Sequence, residues 1–141
     1  MKGTNMKRLA FLIVSGIALL MVDVPAWAHH GFAAEFDADK PLKMKGTVVK
    51  WDLINPHSWL EIAVKDDDGK VANWRFEGPP PNTLFRLGVT KDSLPPGTEV
   101  MVEGYAAKDG SNRASGKNVT FADGRKLILG VAGGAEGRPD K

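Results

Sequence analysis

The chain has 141 residues, a formal net charge of +2, 43% hydrophobic and 8% aromatic residues, and no cysteine. One domain is the natural count for that length. Without thiols, disulfides, thiolate metal sites and a lipid-anchored leader are all excluded.

Lys2, Lys7 and Arg8 precede an almost wholly apolar run from Leu9 to Val22, and Ala26-Trp27-Ala28 follows. That is the layout of a secretory signal peptide over 1–28, cut after Ala28. The apolar run is shorter than the roughly 18 to 20 residues a bilayer core requires, so no membrane span is expected after processing. No twin-arginine pair precedes it, so general export to the periplasm or medium is the expectation. Removing 28 of the 141 residues leaves 113. The leader carries three of the 19 basic and one of the 17 acidic side chains, leaving 16 of each, so the basic pI of about 8.9 belongs to the leader. A mature net charge near zero, with no Lys/Arg run, lacks the electrostatic footprint of a nucleic-acid binder.

Residues 29–42 read as an extended N-terminal arm that Phe32 and Phe36 can pin to the domain. From Lys43 to Ile54 a period of two predicts a strand, with Thr47, Val49, Trp51 and Leu53 on one face. Asn55-Pro56-His57 is a corner, because proline fixes its own φ and pushes the preceding residue out of the helical region. Leu60, Ile62 and Val64 alternate in the next strand, Asp66-Asp67-Asp68-Gly69 turns, and Val71 to Glu77 resumes with Trp74 and Phe76 on one face. The acidic turn lacks the alternate ligand spacing and closing glutamate of a calcium loop and reads as a solvated hairpin turn. After Gly78-Pro79-Pro80-Pro81, Asn82 or Thr83 can cap a short helix carrying Leu84, Phe85 and Leu87, stopped at Gly88. Strands follow at Thr98 to Tyr105 and Ser115 to Phe121, with Asp123-Gly124 turning into Leu127 to Leu129. The expected fold is all-β, a small five-stranded OB-like barrel over 43–129 with one short helix between its third and fourth strands. The inward set is Val49, Trp51, Leu53, Leu60, Ile62, Val64, Trp74, Phe76, Val100 and Val102. The glycine-rich stretch 130–141 reads as a disordered tail.

His29-His30-x-Phe32, Lys45-Gly-Thr-Val48, Asn55-Pro-His-x-Trp59, Asn73-Trp-x-Phe-Glu77, Pro96 to Tyr105, Lys108-Asp-Gly-Ser111 and Asp123-Gly-Arg-Lys-Leu127 together resemble a family of short exported bacterial proteins of unknown function. The resemblance spans nearly the whole mature domain. It implies a secreted all-β domain and no established activity.

Chemistry must then come from the residues. Cleavage after Ala28 would give His29 a free α-amine beside its imidazole, a ready chelate, and His57 at its corner is the natural opposite ligand. Three nitrogens in a T suit Cu(II), which tops the divalent affinity series and favours tetragonal geometry. The expected metal ligands are therefore His29 and His57, with His30 as substitute and copper as the cofactor. Exported copper proteins whose mature chain begins with histidine share that chemistry. Zinc is the runner-up and would need a fourth ligand such as Glu35 or Asp37. The plainer alternative is a mobile terminus and a turn histidine bonded to backbone. The domain is then a metal-free module binding a small ligand or envelope partner through Trp59 and Tyr105, the two aromatics expected at the surface. No catalytic constellation is present: Ser58 and His57 are adjacent along an extended chain, where successive side chains diverge. Copper redox chemistry is the single route to an enzyme.

Overall fold

The computed structural model describes residues 27–130, with side chains from Gly31 onward. The expected leader, except its last two residues, and the expected tail beyond Gly130 lie outside the described residues. Helix α1 (Trp27–Glu35) leads into β1 (Phe36–Leu53), β2 (Ser58–Lys65), β3 (Val71–Gly78), helix α2 (Pro81–Arg86) and a 3₁₀ turn (Lys91–Ser93). Three more strands follow: β4 (Glu99–Ala107), β5 (Arg113–Phe121) and β6 (Lys126–Ile128). The fold is all-β: one six-stranded sheet in the order β3-β2-β1-β4-β5-β6. All neighbours in that order are antiparallel, and an added parallel pairing of β3 with β5 links Arg75–Glu77 to Arg113–Ser115. Among the described residues no helix is long and apolar enough to cross a membrane.

The 29–42 segment is not an extended arm. Its first part belongs to α1 and the rest to β1, which runs 18 residues. The Ala-rich stretch can hold a short helix because its end is fastened to the sheet. Lys108 donates from its backbone N–H to the Glu35 carbonyl at 2.8 Å and from its ammonium to the Ala33 carbonyl, supplying partners to carbonyls a helix end leaves open.

The period of two along β1 also breaks once. Pairing runs Thr47↔Ala63 and Val48↔Ile62, then Lys50↔Glu61 and Trp51↔Leu60, so Val49 is the extra residue of a bulge. Val49 is therefore 40% exposed, against the inward position expected of it, and Val48 is buried in its place. The interior is otherwise the expected one. Trp51, Leu60, Ile62, Phe76, Val100 and Val102 are buried, and Leu53, Val64 and Trp74 pack against them part-exposed. Trp51 donates its indole N–H to the Thr90 carbonyl at 3.1 Å, which satisfies the polar edge of a buried indole.

Helix α2 starts on prolines instead of a capping side chain. Pro80 is its N-cap and Pro81 its first residue, where a missing N–H costs nothing. Only one face of so short a helix can reach the interior, so Leu84 is fully buried while Phe85 and Leu87 are mostly exposed. Gly88, with φ of +76°, ends it as expected. The Asp66–Gly69 turn closes with Gly69 N–H to the Asp66 carbonyl and Lys70 N–H to Asp66 Oδ1 at 2.7 Å.

Candidate functional site

The His57 corner is held from behind. Ser58, fully buried, donates both its backbone N–H (3.1 Å) and its hydroxyl (2.8 Å) to the Pro79 carbonyl, tying the start of β2 to the end of β3. Register then pairs Trp59 with Glu77, and side chains of paired residues share a face. His57, two positions before Trp59, leans toward the same carboxylate.

His57 Nδ1 lies 3.0 Å from Glu77 Oε1. The approach is an ion-pair distance but is too oblique for a hydrogen bond, and Nδ1, closed off from solvent, has no other partner among the described residues. The His57 side chain is nonetheless 40% exposed, while that of Glu77 is 15% exposed. Burial raises the Glu77 pKa, the His57 ring opposes that rise, the Glu35 charge adds to it and the Arg113 guanidinium opposes it. Arg113 in turn lies 3.5 Å from Glu35 Oε2 and 3.8 Å from Asp109 Oδ2. The end of α1 is thus electrostatically joined to the corner.

Glu77 continues the row across the sheet: Trp59 on β2 pairs with Glu77 on β3, Glu77 with Ser115 on β5, and Ser115 with Tyr105 on β4. Ser115 lies on this outer face yet is only 5% exposed. Helix α1 lies against this face. Phe32 meets Tyr105 edge-on with centroids 5.7 Å apart and leans on Phe36 at the same distance.

Trp59 and Tyr105 therefore share a row but not a contact, being three strand spacings, roughly 14 Å, apart. Arg75 covers the Trp59 ring at 4.7 Å, and Phe32 covers the edge of Tyr105. An open depression of about 340 Å³ flanks Tyr105, lined also by Pro41, Lys43, Glu103 and Lys117. There Glu103 is held below the usual carboxyl range by hydrogen bonds from Asn118 and Lys43. Of the two zinc candidates, Glu35 faces Arg113, and Asp37 faces Lys40 at 3.7 Å. Among the described residues no three His, Asp or Glu side chains gather as a metal-binding group. The imidazoles of His29 and His30 lie outside the described residues; their backbone belongs to α1.

Glu77 and Arg113 are the residues sequence reading did not single out. Glu77 was visible only as the end of the Asn73-Trp-x-Phe-Glu77 stretch, and its nearness to His57 depends on a register that no local pattern specifies. A family model described as a family of unknown function (DUF6152) matches residues 18–117, more than half of the chain. No curated protein and no solved structure matches it.

Proposed function

We propose, for a chain that belongs to this family of unknown function, an exported copper-binding protein built on an OB-like barrel. It binds one Cu(II) through the α-amine and imidazole of His29 and the imidazole of His57, with His30 as substitute. The barrel reading is supported by the circuit of pairings β1-β2-β3-β5-β4-β1, with its parallel β3–β5 step and α2 between β3 and β4.

The observation that carries the metal reading is the His57–Glu77 contact. Histidines that ligate metals generally turn their second ring nitrogen to a carboxylate or carbonyl, which orients the ring and raises its basicity. With Nδ1 closed off against Glu77 and the ring partly exposed, Nε2 is the nitrogen free to coordinate. The ion pair of Glu35, six residues after His29, with Arg113 supports a mature terminus on the same side of the domain as Glu77.

A metal-free module that binds a small ligand or an envelope partner at Tyr105 and Trp59 is the second reading, favoured by the depression beside Tyr105. Acetylation of the His29 α-amine separates them. It removes the amine as a ligand and should abolish stoichiometric Cu(II) binding in calorimetry, leaving any metal-free ligand bound as before. Unchanged Cu(II) binding would remove the terminal chelate.

A further inference from the structure

We propose that Glu77 is the positioning residue for the His57 ring: it holds the ring proton on Nδ1 and so leaves the Nε2 lone pair facing outward. The use of that lone pair for copper rests on the reading above; the placement of the proton does not.

Glu77 Oε1 stands 3.0 Å from a ring nitrogen that water does not reach. If Nδ1 were bare, a negative ring nitrogen would stand against a carboxylate oxygen at that distance with no solvent to screen them, in a setting where an unpaired polar atom is costly. A single proton between them removes the repulsion. With that proton on the ring the carboxylate faces an N–H, the arrangement in which metal-ligating histidines are generally held. The oblique approach weakens the contact and keeps the preference, since a bare ring nitrogen carries more negative charge than an N–H at the same place.

No other described group is placed to do the same. Glu35 is drawn to Arg113, and Asp52, on the neighbouring strand, is held by Lys50 at 2.9 Å. The backbone from which the ring projects is fixed, because Ser58 is anchored to Pro79 immediately after it. An imidazole side chain free in water prefers the opposite tautomer, with the proton on Nε2. That form would present an N–H, and no lone pair, to an incoming metal.

The test is the ¹⁵N chemical shifts of the neutral His57 ring in the exported protein without metal, followed to alkaline pH until they no longer change. The expected wild-type pattern is a protonated Nδ1 and an unprotonated Nε2. Glu77→Ala should move the majority to the Nε2–H form, whereas Glu77→Gln, whose amide can accept from Nδ1–H or donate to a bare Nδ1, should give a mixture between that of Ala and that of wild type. If Glu77→Ala does not fold, Glu77→Met, similar in volume and without an acceptor, carries the same expectation. A wild-type ring with its proton on Nε2, or a truncated variant that stays Nδ1–H, overturns the proposal. Cu(II) affinity should fall about 10- to 100-fold in the Ala or Met variant and less in Gln. A tautomer that switches in a protein that never binds Cu(II) leaves the positioning role standing and removes the copper reading; intact binding with an unmoved tautomer does the reverse.

Discussion

The same strands bury two different surfaces. Toward the interior they present Leu60, Ile62, Phe76, Val102 and Val119, all apolar and inaccessible. Toward the outside, along the row from Trp59 through Glu77 and Ser115 to Tyr105, they carry a mostly buried carboxylate and a buried hydroxyl, with α1 packed on Tyr105 at the end of the row. The inner surface is dry because strands surround it, and its stability is that of ordinary hydrophobic burial. Beside the outer patch sits a short helix held through Phe32, Lys108 and Glu35. A cover held by so few contacts can open locally without disturbing the fold.

The sharpest way to break the inner surface is Phe76→Ala. The side chain is wholly buried, and its removal should cost about 3 to 5 kcal/mol, much of what a domain of this size has to lose. Gly104→Ala should be comparably severe, because a Cβ there would run into the Ser115 backbone carbonyl and press on Phe76. Urea unfolding followed by tryptophan fluorescence reads both, and a midpoint near wild type for either would contradict the packing described.

Phe32→Ala addresses the outer surface. Loss of the edge-on contact with Tyr105 should cost about 1 to 2 kcal/mol, confined to α1. Hydrogen exchange should speed up in 31–35 while β2 and β3 keep their protection. A uniform loss across the sheet would mean that the helix belongs to the core and not to a separable cover.

The inner surface was largely legible in the sequence. Leu60, Ile62, Val100 and Val102 alternate strictly, and a strand buried on one face can show its period in no other way. The exception, Val49, marks where that logic stops: a bulge inserts one residue and moves the inward position to Val48 without any local signature. The outer site was half legible. His57 stood out because Asn55-Pro56 makes a corner, and Phe32, with Phe36, because these two rings were available to pin the first segment. Glu77, Arg113 and the helix could not be found in that way. Each owes its role to pairing between strands distant in sequence, as Glu77 meets Ser115 across a parallel step.

The smallest expected effect is on pH dependence. Glu77 has its pKa raised by burial, so the folded state favours its protonated form. Its contribution is therefore fully present below the ordinary carboxyl range and is lost as pH rises through the folded value. Glu77→Gln, neutral at every pH, should be more stable than wild type at neutral pH, with the gain closing in acid. Paired urea midpoints from pH 3 to 8 test the sign; a Gln variant less stable at neutral pH would show that the His57 contact outweighs burial.

Copper coordination itself is tested most directly by adding Cu(II) to the protein that begins at His29 while recording electron paramagnetic resonance. The account predicts one tetragonal Cu(II) per chain with three nitrogen donors, an affinity that falls as the pH is lowered because bound nitrogen ligands must be deprotonated, and loss of one nitrogen in a His57→Ala variant that still folds. A wild-type spectrum unchanged by His57→Ala, or no stoichiometric binding at all, would contradict it.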